Sequence, residues 1–176
     1  MEILKIIGFS LAAAIAYGIL HDQVTAHLCV EYFTIAHPPV FPTESPFLLA
    51  IGWGILATWW VGLPLGLLLA AAARIGRGNR LGLADLRPAI LRLLATMALC
   101  ALAAGLWGAW SVASGRSSLP GGWGRVLPPE IHVAFAGAAW AHLASYASGL
   151  IGGLAVIAWT IWRRIRPPQA NLGAIA

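Results

Sequence analysis

The pattern of apolar and polar positions divides the chain into four long apolar stretches separated by short polar segments. The stretches run approximately over residues 3–20, 46–73, 86–112 and 131–162. Crossing a bilayer as a helix takes about 20 predominantly apolar residues, so each stretch reads as a membrane span. Their starts carry helix-initiating chemistry. Ser45 before Pro46 is a candidate N-cap followed by proline at the first helical position. Pro128-Pro129-Glu130 repeats the device for the fourth span, with an acid at the positive end of the helix dipole. Asp85 is a candidate cap for the third. The expected fold is all-α: an integral membrane four-helix bundle, residues 1–176 forming a single transmembrane domain, with an outward-facing loop segment between helices 1 and 2.

Composition agrees. The 176 residues are 60% hydrophobic and only 10% charged, against roughly a quarter charged in soluble domains. That excludes disorder, which needs low hydrophobicity and high charge. With Cys29 and Cys100 as its only cysteines, the chain is not a disulfide scaffold either. The first span has two readings: a retained anchor, or a signal peptide whose Ala14-Ile15-Ala16 resembles a cleavage site after residue 16.

The net charge of +5 changes meaning once it is sorted by position. Arg74, Arg77, Arg80, Arg87 and Arg92 lie around the segment between spans two and three, Arg163, Arg164 and Arg166 follow span four, and Lys5 is N-terminal. Only Arg116 and Arg125 lie elsewhere. The positive-inside rule then places both termini in the cytoplasm, with the His21–Ser45 segment outward. Trp159 and Trp162 read as an inner aromatic belt and the arginines as topology signals and lipid contacts. Nucleic acid is not an expected partner; the bilayer is, together with a homo-oligomer or a larger membrane complex.

The fourth span carries small residues every four positions, Gly137, Ala141, Ser145, Gly149 and Gly153, echoed by Gly62 and Gly66 and by Ala101, Gly105 and Ala109. Such stripes let helix backbones approach closely in lipid, within the chain or against a partner. Trp107 and Trp110 read as belt residues, and Trp59 and Trp60 as core.

The candidate chemistry gathers on the outward half. All five histidines lie there, three of them in residues 21–45, a segment without Lys or Arg. Imidazoles and carboxylates free of competing cations suit a divalent transition metal such as Zn, Cu or Fe. The candidate ligands are His21, Asp22, His27, Glu31 and His132, with His142 beneath them. His27 and Glu31 are expected on one face whether residues 24–35 form a helix or a strand; as a strand, Cys29 joins them. No H-E-x-x-H, paired C-x-x-C or E-x-x-H motif is present. His142 falls deep within span four, where an ionisable side chain is a functional candidate by default. Ser145 and Tyr146 share its face as hydrogen-bond partners, and Ala138, one turn back, leaves room above the imidazole for a flat ring. His142 and Tyr146 are therefore candidate cofactor-binding residues, for haem or a chlorophyll-type pigment. No carboxylate falls in the interior of any expected span, which argues against a proton-coupled exporter.

The runs His21-Asp22-Gln23-Val24-Thr25, Glu31-Tyr32-Phe33-Thr34, His37-Pro38, Trp59-Trp60-Val61-Gly62 and Ala141-His142-Leu143-Ala144-Ser145-Tyr146 resemble an uncharacterised group of bacterial multi-span inner-membrane proteins. The likeness spreads over most of the chain and implies the topology above, in a bacterial inner (plasma) membrane, but no known activity. Glu130-Ile131-His132 and Ala141-His142-Leu143 are similar to the β chain of purple-bacterial light-harvesting antennae, which implies pigment ligation by His142. Those chains have one span and a wider gap between histidines.

Three functional expectations follow. The first is an outward metal or cofactor site, catalysing metal-assisted redox or hydrolytic chemistry on a lipid or periplasmic substrate if the protein is an enzyme. The second is a non-catalytic subunit docking through the Gly137–Gly153 stripe. The third is haem or pigment binding through His142.

Overall fold

The structure, a computed structural model, describes residues 1–165. Arg166, counted above with the terminal arginines, lies outside them. Helices account for nearly all regular structure: α1 (Glu2–Leu28), α2 (Glu31–Thr34), α3 (Pro46–Leu56), α4 (Trp59–Arg74), α5 (Leu83–Ala113), α6 (Trp123–Val126) and α7 (His132–Ile165). Two single 3-10 turns precede α6 and α7, and there is no strand among the described residues. Four segments are long and apolar enough to cross a bilayer: α1, α3 with α4, α5, and α7 with its leading turn. Large apolar side chains such as Leu99, Leu106 and Ile151 are exposed on their outer surfaces. Contiguous apolar surface of this kind belongs against lipid or protein.

The main difference from the sequence expectation lies in α1. It does not stop near Leu20, where polar residues begin, but continues two further turns to Leu28, so that His21, Asp22 and His27 are helical. It ends where Cys29 takes an extended conformation (φ −154°, ψ 92°), and Glu31 opens the separate α2. Asp22 is consequently a buried carboxylate within a membrane-length helix, contrary to the expectation that no span would hold one.

The second apolar stretch is broken at Ala57-Thr58. The Thr58 hydroxyl donates back to the Gly54 carbonyl (2.5 Å), a local bond that competes with the helix ladder and bends it. Here α1 crosses α3 at backbone contact. A Cβ on Gly18 would lie 2.6 Å from the Gly54 carbonyl oxygen, and one on Gly54 would lie 2.5 Å from the Ile19 nitrogen. Glycine at both positions is what allows this crossing.

Helix α1 packs on α3 and α4 and α5 packs on α7, the two sets meeting through α4–α7, α1–α5 and α1–α7 contacts. The small-residue stripe of α7 is buried and spent within the chain. Gly137 faces Leu28, Ala109 and the Gly105 carbonyl, Gly149 faces Met97, and Gly153 faces Leu65. It therefore offers no open face to a separate subunit. Trp59 and Trp60, expected in the core, are 46% and 58% exposed. Ser45 occupies the N-cap position of α3 with Pro46 following, but its side chain makes no capping bond.

At the arginine-bearing end, Arg164 corrects its assignment as a lipid-facing topology signal. It is buried, and its guanidinium donates to the carbonyls of Ala72, Ile75, Gly76, Arg77 and Asn79. Carbonyls at a helix C-terminus have no partner in their own helix, and a planar five-donor fork is suited to collecting several of them. Gly78 (φ +105°) lies against the Arg164 carbonyl, where a Cβ would come within 2.6 Å. At the start of α5 the Gly82 N–H donates to Asp85 (2.9 Å) and the Leu83 N–H to Glu2 (3.1 Å). Asp85 thus caps the helix as expected, from its third position.

Candidate metal centre

Helices α1 and α7 bring His21, Asp22 and His142 together in the half of the molecule away from Arg164. One potential ligand atom from each lies within 4.8 Å of the others. His21 and Asp22 are adjacent in sequence and project about 100° apart around α1, so they straddle the line along which α7 packs. Asp22 and His142 are 5% and 6% exposed.

The hydrogen bonds define the imidazole of His142. Its Nδ1 lies 2.9 Å from the Ala138 carbonyl, which can only accept, so Nδ1 carries the hydrogen. Its Nε2 lies 3.2 Å from Asp22 Oδ1, and a single proton, on either atom, makes that contact a bond. Removing that proton leaves a lone pair on nitrogen and a carboxylate facing one point. An imidazole that donates its other N–H to a carbonyl is the usual metal-binding arrangement. His21 Nε2 is buried without a hydrogen-bond partner, and its ring stands 4.6 Å from that of His142 at 79°.

The dimensions suit an ion. Arms of about 2.1 Å at a tetrahedral angle place ligand atoms roughly 3.4 Å apart, close to the 3.2 Å between Asp22 and His142. The widest separation, within 4.8 Å, closes with roughly 1.4 Å of side-chain movement to reach that spacing.

Aromatic rings wall the cluster. Tyr32 and Phe33 from α2 lie 4.5 and 5.7 Å from the His142 ring, and Tyr17 stacks on His21 at 5.8 Å. Outside them, His37 sits between Phe33 and Trp53 and donates from Nδ1 to the Tyr32 carbonyl (2.7 Å). Burial pushes the Tyr32 hydroxyl well above the usual phenol range, reinforced by the nearby Tyr146 and Asp22. Burial likewise pushes the Cys29 thiol up to about 11.

The other expected ligands are elsewhere engaged. His27 is exposed and its Nδ1 donates to the Gln23 carbonyl (2.7 Å). Glu31 accepts from the Cys29 thiol (3.5 Å). His132 Nε2 donates to the Leu127 carbonyl (3.0 Å), pinning the turn before α7. None of the three belongs to the cluster. The shared face of His27 and Glu31 required one continuous helix or strand, and the chain breaks at Cys29 between them.

Around His142 two further expectations are corrected. The space above the imidazole, expected to be open to a flat ring, is occupied by the Tyr32 ring 4.5 Å away. Ser145 does not bond His142 but pairs with the Tyr17 hydroxyl (2.9 Å), and the Tyr146 ring stands 6.4 Å away. Tyr17 escaped notice because it joins His21 only when α1 runs past Leu20; its i, i+4 spacing to His21 was the available signal. Compared with known proteins, the chain matches no family model, no curated protein and no solved structure.

Proposed function

We propose that this is a multi-pass protein of the bacterial inner membrane, a four-helix bundle with both termini cytoplasmic, that holds a divalent transition metal between His21, Asp22 and His142. The arginine distribution supports the orientation. The metal reading is carried by the convergence of these three side chains within 4.8 Å, Asp22 and His142 buried and His21 half-buried, walled by aromatic rings. Two imidazoles and a carboxylate are a ligand set used by zinc and by non-haem iron(II), and three protein ligands leave a position open to water or a substrate oxygen. A metal there would supply Lewis-acid or redox chemistry.

Titrating detergent-purified protein with zinc chloride, and anaerobically with ferrous iron, tests this and separates the two ions. One equivalent bound to the wild type, with binding lost in His142→Ala, is expected. No binding of either ion overturns the metal reading.

One observation favours a second reading. Asp22 is a buried acid sharing a proton with His142, which suits a proton relay. Under that reading neither ion binds, and Asp22→Asn abolishes proton uptake by proteoliposomes. Docking of a partner through the α7 stripe is disfavoured, since that stripe is buried within the chain.

A further inference from the structure

Beneath the histidine cluster, α1, α4, α5 and α7 line a half-open cavity of about 680 Å³, within the range of sites that hold one small-molecule ligand. Its wall is almost wholly apolar. Small residues keep it open: Ala13 and Ala14 on α1, Gly62 on α4, Gly149 and Gly153 on α7. A Cβ on Gly153 would lie 3.2 Å from Leu65, and one on Gly149 would lie 2.9 Å from Met97, so larger residues there would close the space. The lining on α7 runs from Ser145 to Ile157, about 18 Å along the helix axis.

Polar groups are confined to particular points of this wall. At one end are Tyr17 and Ser145, hydrogen-bonded to each other. A hydroxyl pair of this kind uses one hydrogen between its two oxygens and keeps the other for a further acceptor. Tyr17 stacks directly on His21, so this end lies one ring away from the cluster. At the far end the Ser10 hydroxyl is buried without a partner. On α4, Pro64 brings no N–H, and the Trp60 carbonyl loses its i+4 donor; both residues line the cavity. No Lys, Arg or His lines it. A phosphate or carboxylate head would stand there without a counter-ion in an apolar wall, at high cost.

We propose that the cavity binds a lipid with a single long apolar chain ending in an uncharged oxygen head, a hydroxyl or carbonyl, with the head at the Tyr17–Ser145 pair. The chain lies along α7 between Tyr146 and Ile157. The position next to His21 makes such a lipid the substrate class of the metal centre. That last step rests on the metal reading, whereas occupancy of the cavity does not.

The test uses proteoliposomes of the full chain and a photoreactive diazirine analogue of hexadecanol, with cross-links mapped by mass spectrometry. Labelling is expected on cavity residues turned away from the outer surface, such as Tyr17, Leu65 and Met97. Unlabelled hexadecanol or decylubiquinol should displace it, and which of them displaces it at lower concentration tells an alkyl alcohol from a quinol. Palmitate and phosphatidylglycerol should not. Leu94→Trp, which fills the cavity, should lose the label while retaining the wild-type melting temperature, and Met97→Trp serves if the first variant does not fold. Repeating the experiment in EDTA keeps the result independent of metal. Labelling spread over the outer faces of α5, unchanged by both tryptophan variants or displaced equally by palmitate, overturns the proposal.

Discussion

Asp22 Oδ1 and His142 Nε2, 120 residues apart in sequence, meet at 3.2 Å in a buried contact between α1 and α7. Because the Ala138 carbonyl fixes the hydrogen on Nδ1, Nε2 can be satisfied by any donor placed where the carboxyl now stands. Asp22→Asn, with its amide nitrogen toward Nε2, therefore keeps the bond and leaves the melting temperature near that of wild type. Asp22→Leu removes the partner and costs about 1–3 kcal/mol, the penalty for a buried polar group left unpaired. Thermal unfolding in detergent measures both. A large loss in Asp22→Asn with none in Asp22→Leu would refute the assigned tautomer.

Arg164 predicts a different hierarchy. Its carbonyl partners cap α4 and the following loop, and charged hydrogen bonds contribute about 1.5–3 kcal/mol each at most. Arg164→Ala is expected to cost about 3 kcal/mol or more, and Arg164→Lys to recover less than half of it, since an ammonium cannot reproduce the fork. The neighbouring Arg163 meets Asp85 at 3.5 Å in a largely exposed pair; Arg163→Ala should cost under about 1 kcal/mol. Denaturation midpoints of the three variants decide the order.

The α1–α3 crossing yields a contrast between glycines on one helix. Gly18→Ala drives a Cβ into the Gly54 carbonyl and should cost about 1–3 kcal/mol through overpacking. Gly8, in the same helix, has nothing within 4 Å of its would-be Cβ, so Gly8→Ala should be neutral or stabilising by about 0.5–1 kcal/mol. Equal effects at the two positions would contradict the crossing.

Cys29 gives a pH signature. Burial raises its thiol from the ordinary 9.0 to about 11, and the reactive species is the thiolate. Iodoacetamide alkylation of Cys29, read in a folded Cys100→Ser protein, should stay slow at pH 8 and accelerate only toward pH 11. The unfolded chain loses this proton first, so stability from the buried thiol is complete below pH 9 and declines between about 9 and 11. Fast labelling at pH 8 would show the Cys29 pocket to be open.

Much of the helical pattern was legible in the sequence because apolar runs of this length have few alternatives. The end of α1 was not. The change from Leu20 to His21-Asp22 looks like the membrane edge when each residue is read for its own polarity. In the fold those side chains are sheltered by α7 and α2, so the helix continues. Trp59 and Trp60 show the same effect in reverse, since residue type alone does not tell a core face from a lipid face. The polar residues of the cluster were also legible as chemistry, but their grouping was not. Sequence reading set His27, Glu31 and His132 beside His21 with His142 beneath them, whereas packing brings only His21, Asp22 and His142 together. Arg164 looked like its exposed neighbours because nothing local marks the carbonyls it would meet.

The most direct measurement of the central claim is metal content after zinc or iron loading, compared across two sets of variants. His21→Ala, Asp22→Asn and His142→Ala are expected to lose the bound metal, with Asp22→Asn remaining as stable as wild type. His27→Ala, Glu31→Gln and His132→Ala are expected to keep it. Retention in the first set, or loss in the second, would contradict a centre built from His21, Asp22 and His142.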